Sequence, residues 1–185
     1  MTLRYVGVGI AAVVALQILV LWLMGQPFIA QSGVIKLWEG VVLSPGNSQH
    51  FADWYTFSHI IHGLVFYWLL SLVAPRVPVW LRLLIAMGVE VSWEILENTP
   101  MVIEHYRQQA LAAGYTGDSI LNSVSDTVAM VAGFVAAWRL PVWGSIVMAL
   151  GLEALPVWAI RDGLSLNILG FVHQFDFITE WQNGG

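Results

Sequence analysis

Five long apolar segments are the feature that most limits how this chain can fold. They lie at approximately residues 5–25, 56–74, 80–98, 119–139 and 142–160. A helix of about 20 residues is as long as the hydrocarbon core of a bilayer is thick. The whole chain is 58% hydrophobic and 10% charged, whereas soluble proteins carry about 25% charged residues. The sequence therefore predicts a single polytopic membrane domain over residues 1–185.

The predicted fold class is an all-α membrane protein, a bundle of about five transmembrane helices followed by a C-terminal amphipathic interfacial helix. The first segment resembles a signal peptide, but its apolar run exceeds the usual ~7–15 residues, so we interpret it as a retained span. The C-terminal segment, residues 164–182, is different in kind. Its apolar stripe at helical spacing consists of Leu164, Ile168, Phe171, Phe175 and Ile178. Such a stripe is typical of a helix that lies in the membrane interface.

The basic residues give this five-span arrangement an orientation. They fall on two sides, with Arg4, Arg76, Arg82 and Arg139 on one and Lys36, Arg107 and Arg161 on the other. The positive-inside rule then predicts a cytoplasmic amino terminus and a periplasmic carboxyl terminus in the cell inner membrane. All twelve acids fall outside or in the outer half of a span. A polar site is therefore expected to face the periplasm.

Three glutamates interrupt the third apolar segment. Glu90, Glu94 and Glu97, in the sequence EVSWEILEN, have the i, i+4 and i+7 spacing that puts them on one helix face. Each ionisable side chain in a span costs about 2.5–3.5 kcal/mol on insertion scales and usually faces a cavity or a polar partner. A bound cation, or partial protonation, would relieve the repulsion among the three acids.

Two other segments carry polar side chains at the same depth. The second contains His59 and His62 in SHIIHG, and the fourth begins GDSILNSVSD, with Asp118 and Asp126 on one face. Because these spans are antiparallel, we expect their polar faces to meet near the outer leaflet. The predicted metal ligands are His59, His62, Glu90, Glu94, Asp118 and Asp126, and the predicted catalytic residues are Glu90, Glu94 and Asp126.

The residue types indicate a divalent metal as the candidate cofactor without selecting one. Imidazole together with carboxylates suits zinc, manganese or iron, whereas oxygen ligands alone suit calcium or magnesium. Structural interpretations stay open beside this one. The two histidines fit hydrogen-bonded contacts between helices, Glu97 fits a solvated position at the interface, and Asp118 fits an amino-terminal cap of the fourth span.

Several blocks of the chain resemble one bacterial family. The blocks are IKLWEG, NSQHFADWYTFSHIIHGLVFY, WEILENTPMVIEHYR, YTGDSILNSVSD and LNILGFVHQFDFITEWQ. They are similar to the membrane family called domain of unknown function 2585, or UPF0314, over roughly residues 33–182. The resemblance implies a multi-pass inner-membrane protein of Gram-negative bacteria. It implies no activity.

The residues favour a membrane enzyme with a metal-dependent or acid–base site that acts on a lipid or envelope substrate. A different interpretation stays open, in which the chain is an accessory or assembly subunit whose structural polar cluster binds a membrane-protein partner. The lipid bilayer is the partner that the composition itself predicts. Nucleic acid is not expected as a partner, because the net charge is −5 and the chain has no basic patch.

Overall fold

The computed structural model describes residues 3–184, and within this range the protein is all-α. Its eight helices are α1 (Leu3–Leu23), α2 (Thr56–Val73), α3 (Val79–Glu97), α4 (Pro100–Tyr106), α5 (Ile120–Arg139), α6 (Val142–Ile160), α7 (Leu164–Val172) and α8 (Asp176–Gln182). The described residues form no β-strand, and an isolated bridge joins Glu39 to Asp53. The prediction of an all-α protein is confirmed.

The five predicted spans correspond to α1, α2, α3, α5 and α6, whose ends lie within two residues of the predicted bounds. Among the described residues, four helices are long and apolar enough to cross a membrane: α1, α2, α5 and α6. Helix α3 has a similar length, but Arg82 and three glutamates make its composition too polar for the same criterion. By length and composition the count is therefore four, not the five that the sequence predicted.

The C-terminal segment does not form the single helix predicted over residues 164–182, and that prediction is wrong. Helix α7 ends at Val172, the backbone of the next residue, His173, is extended, and α8 begins at Asp176. The Gln182 side chain donates to the carbonyl of Arg161, and the Arg161 guanidinium donates to the carbonyl of Trp181. A straight helix of this length would hold its two ends about 28 Å apart. The chain must therefore fold back on itself to make these contacts.

Helices α2 and α5 approach each other through a pair of glycines. Gly63 of α2 lies against the carbonyl of Met130, and Gly133 of α5 lies against the carbonyl of Ile60. A Cβ atom at either glycine would collide with that backbone oxygen. Small residues allow such close packing between membrane helices. The contact fixes the register of the two helices and brings the polar end of α2 beside that of α5.

The bundle is divided along its length into an apolar end and a polar end. The buried apolar core consists of Leu83, Ala86 and Met87 of α3 and Met130 and Phe134 of α5. Glu90 and Glu94 follow this core on α3, and Asp126 precedes it on α5. Because α3 and α5 run in opposite directions, all three acids lie at the same end of the bundle.

The segment between α1 and α2, residues 24–55, covers the polar end and caps α5. The backbone N–H groups of Ser119 and Ile120 donate to the carbonyls of Ser48 and Pro27. The Ser119 hydroxyl accepts from the N–H of Asn122, so Ser119 is the N-cap of α5. These bonds satisfy N–H groups that the first turn of a helix leaves without internal partners. The interpretation of Asp118 as this cap is therefore wrong.

The glycine contact between α2 and α5 predicts the effect of one added methyl group. We expect Gly133→Ala to lower the free energy of unfolding by at least about 3 kcal/mol, because the Cβ meets a backbone carbonyl that cannot move aside. In the control Gly88→Ala, the new Cβ has open space around it, and the substitution should stabilise α3 by up to about 1 kcal/mol. Thermal unfolding in detergent measures both. Equal stability of the two variants would contradict the close packing.

Candidate functional site

Glu90 lies between two histidines of the neighbouring helix. Its Oε1 is 2.6 Å from Nδ1 of His59, and its Oε2 is 3.1 Å from Nδ1 of His62. The Glu90 side chain is completely buried. One ligand atom from each of the three residues lies within 4.8 Å of the other two. This spacing is short enough for a single ion to contact all three side chains.

The positions of the histidines follow from helical periodicity. His59 and His62 are three residues apart on α2, so both rings project from the face that packs against α3. Two imidazoles and one carboxylate form the ligand set of many catalytic zinc sites and of non-haem iron sites, both of which keep an open position. The His62 side chain is 19% exposed, and it lines the large cavity described below. An open position of the site would face this cavity.

Asp126 stands behind His59. Its Oδ2 is 3.9 Å from Nε2 of His59, on the side of the ring opposite to Glu90. Its Oδ1 accepts a hydrogen bond of 3.0 Å from the Thr56 hydroxyl. A carboxylate behind a metal-binding imidazole orients the ring and raises its basicity. At 3.9 Å the two atoms are too far apart for a hydrogen bond, so Asp126 makes a longer-range electrostatic contact with His59 and lies outside the group of three around Glu90.

One carboxylate oxygen of Glu94 accepts a hydrogen bond, and the other has none among the described residues. Oε2 accepts a 2.6 Å hydrogen bond from the Ser123 hydroxyl. Oε1 is buried, lies 3.3 Å from Nδ1 of His59, and has no hydrogen-bond partner among the described residues. The reason is that Nδ1 of His59 carries at most one hydrogen and is closer to Glu90. A buried carboxylate oxygen without a partner is costly, and a proton or a cation would satisfy it.

Gln17 of α1 is connected to Glu94 through the hydroxyl of Ser123, and it was not among the predicted site residues. Its Nε2 donates to the Ser123 hydroxyl at 2.8 Å, and its Oε1 accepts from the Thr127 hydroxyl at 3.1 Å. Gln17 is completely buried, as is Ser123. Hydrogen bonds therefore run from α1 through α5 to Glu94 on α3. The available signal was a single amide inside an otherwise apolar span, which in membranes usually faces another helix.

Asp118, also a predicted ligand, is held apart from the two histidines. Its two oxygens accept hydrogen bonds from Asn98 Nδ2 at 2.8 Å and from the Tyr115 hydroxyl at 3.0 Å. Burial raises the pKa of Asp118 to about 6, although the hydrogen bonds from Asn98 and Tyr115 favour the charged form. Burial also raises the pKa of Asp53. Asp118 and Asp53 line the same cavity as His62, but neither belongs to the group of three around Glu90.

A cavity of about 1280 Å³ opens above Glu90. The covering segment 24–55, the polar ends of α2, α3 and α5, and helix α7 all contribute to its walls. His59, His62 and Glu90 line it directly, whereas Glu94 lies behind the wall. Of the six predicted ligands, four therefore lie around the fifth, His59, and Asp118 lies elsewhere in the wall of the same cavity.

Fold and site together define a helical protein with membrane-compatible helices and a buried histidine–glutamate cluster open to a cavity. The family described as Protein of unknown function (DUF2585) matches residues 21–184. The chain belongs to this family, as the sequence blocks predicted. Gln17 lies outside the matched residues. No solved structure matches the chain.

Relatives of nearly the same length carry the name UPF0314 protein. The relative from Sphingopyxis alaskensis is 50% identical over 95% of this chain and 93% of its own length. The relative from Sinorhizobium fredii is 54% identical over 93% of this chain and 87% of its own length. That from Paracoccus denitrificans is 53% identical over 88% of this chain and 85% of its own length.

The position of Gln17 predicts that a change on α1 destabilises the site from a distance. We expect Gln17→Leu to lower the free energy of unfolding by about 1–2 kcal/mol, because buried polar groups of Ser123 and Thr127 lose their partner. The control is Leu16→Ala, since the Leu16 side chain is exposed on the same helix and its loss should have a smaller effect. Thermal unfolding in detergent measures the stability of both variants. If Gln17→Leu is no less stable than the control, the hydrogen bonds from α1 contribute nothing.

Proposed function

We propose that this protein is a membrane enzyme whose site holds a divalent metal ion between His59, His62 and Glu90. The observation that carries the proposal is the meeting of these three side chains within 4.8 Å at the wall of a large cavity. A cation also accounts for the placement of a fully buried carboxylate beside a second one. The ligand types favour zinc, iron or manganese over calcium or magnesium.

Each polar group around the ion has a role in this proposal. His59, His62 and Glu90 would hold the ion, which would act as a Lewis acid and activate a water molecule for hydrolysis of an ester or phosphoester bond. Glu94 is suited to accept a proton, because its Oε1 lies beside His59 and makes no hydrogen bond among the described residues. Asp126, whose Oδ2 lies 3.9 Å from Nε2 of His59, would orient the ring electrostatically. Substrate would reach the site through the cavity, and a lipid or envelope component is the proposed substrate.

The proposed location is the inner membrane, with α3 as a fifth span and the site facing the periplasm. The outward face of α3 supports a fifth span, because Leu81, Ile85, Val89 and Leu96 are all exposed to a large extent. Glu90 and Glu94 face the interior of the bundle instead. These acids are covered by α2 and α5 and do not contact lipid. Apart from Ser92, the lipid-facing side of α3 is apolar.

A second candidate function is that of an accessory or assembly subunit of a membrane complex. Its support is that Glu90 already contacts the Nδ1 atoms of both imidazoles at hydrogen-bonding distance. Polar contacts of this kind join membrane helices without any catalytic role. The proposed enzyme requires a bound metal ion, whereas the accessory subunit does not.

Elemental analysis of the purified protein tests the metal. We expect wild type, after exposure to zinc, iron(II) and manganese in turn and then dialysis, to retain about one ion per chain of the preferred metal. His62→Ala removes one of three ligands and should retain less than about a tenth of it. The matched control is His173→Ala, which removes an exposed histidine outside the cluster.

Two results would contradict the metal site. One is a wild-type protein that retains none of the three metals under these conditions. The other is equal metal retention by His62→Ala and His173→Ala. Either result, with His62→Ala still folded, would favour the accessory subunit. Thermal unfolding of each variant shows whether it is folded.

A further inference from the structure

We propose that the cavity beside Glu90 binds one bilayer lipid, with its headgroup towards the histidines and an acyl chain leaving between α3 and α7. This inference names the substrate class of the proposed enzyme and rests on that proposal for the reaction. Lipid binding itself needs no metal, so it can be tested separately.

The size of the cavity is the first reason. Its volume is about 1280 Å³, whereas sites for small molecules are usually about 300–1,000 Å³. Its lining is also mixed in character. Carboxylates, imidazoles and amides contribute to it, and so do aromatic and aliphatic side chains of α2, α3 and α7, which form its apolar part. An amphiphile with one polar and one apolar end matches such a lining.

The apolar part begins directly beside the histidine–glutamate cluster. The ring of Phe66 stacks on the ring of His62, with 5.8 Å between the centroids. Val89 precedes Glu90 in the chain and lines the same cavity, but half of its side chain is exposed on the outward face of α3. The cavity therefore extends from the buried cluster to a surface that faces lipid in the proposed bundle.

Helix α7 contributes a further part of the cavity wall. Phe171 holds α7 in place by packing against Trp93 at 5.9 Å and Tyr106 at 5.3 Å between ring centroids. Ile168 and Val172 line the cavity and are also more than half exposed. An apolar surface exposed on both walls of a passage is costly in water and favourable beside an acyl chain. These walls suit entry of a lipid from the side.

The charges of the lining indicate which headgroup fits. Six carboxylates line the cavity: Glu39, Asp53, Glu90, Glu97, Asp118 and Asp126. Among the lining residues the only Lys or Arg is Lys36, whose ammonium already contacts Glu39 at 2.6 Å. Like charges brought together at a binding site cost several kcal/mol, so an anionic headgroup is disfavoured. An ammonium group finds acceptors, and we infer a lipid with no net charge and an amine headgroup.

Competition between two lipids tests the inference. Metal-free wild-type protein is incubated in mixed micelles with equal amounts of dioleoyl phosphatidylethanolamine and dioleoyl phosphatidylglycerol, and retained lipid is counted by native mass spectrometry. We expect about one phosphatidylethanolamine per chain and a preference of about tenfold over phosphatidylglycerol, which corresponds to about 1.4 kcal/mol. Val89→Trp narrows the passage and should lower the retained lipid by about tenfold.

The matched control is Val147→Trp, because Val147 is an exposed valine of α6 that lies outside the cavity lining. It should retain lipid as wild type does. The inference is overturned if Val89→Trp and Val147→Trp retain equal amounts, or if phosphatidylglycerol is bound as well as phosphatidylethanolamine. Metal retention, measured on a separate portion of each preparation after exposure to metal and dialysis, separates the two proposals. Lipid without metal would contradict the proposed enzyme alone, and metal without lipid would contradict this inference alone.

Discussion

The contact between Glu90 and the two imidazoles of α2 is the interaction on which the rest of the structure depends. An unpaired carboxylate in the interior of an apolar bundle is very unfavourable, so α2 must lie beside α3 with both histidines turned inward. The close approach of Gly63 and Gly133 sets α2 against α5, which adds Asp126 behind His59. The segment 24–55 then covers this end of the bundle and satisfies the first turn of α5.

The same polar side chains both hold the helices together and form the proposed site. The polar side chains are costly in a membrane, and the hydrogen bonds between them recover part of that cost. Glu94 is the exception, because one of its oxygens is bonded through Ser123 to Gln17 while the other makes no hydrogen bond among the described residues. Groups that a fold keeps buried but incompletely satisfied occur preferentially at functional sites. The unsatisfied oxygen lies 3.3 Å from Nδ1 of His59, one of the proposed metal ligands.

Much of the fold could be predicted from the sequence because lipid imposes simple local rules. The five long helices were predicted to within two residues, since each is an apolar stretch that ends near proline, glycine or charge. The cluster around His59 was anticipated in outline, because helical spacing and antiparallel neighbours bring polar faces to one depth. By length and composition four helices qualify rather than five, because Arg82 and three glutamates make α3 more polar than the other four.

The remaining features depend on contacts between residues far apart in the chain. Gln17 and Ser123 are 106 residues apart in the sequence, and no local sequence pattern predicts that they form a hydrogen bond. The turn at His173 follows from Gln182 returning to Arg161, whereas the apolar stripe alone predicts a straight helix. Asp118 has the right type and spacing for a ligand, yet Asn98 and Tyr115 hold it elsewhere. Such outcomes are decided by tertiary packing.

X-ray absorption at the metal edge of zinc-loaded protein reports the metal ligands themselves and so decides whether His59, His62 and Glu90 hold the ion. We expect nitrogen and oxygen neighbours at about 2.0–2.2 Å, with outer-shell scattering from two imidazole rings. In His62→Ala the scattering from one ring should disappear. A zinc environment without imidazole, or a spectrum that His62→Ala leaves unchanged, would contradict the claim that His59, His62 and Glu90 together hold a metal ion.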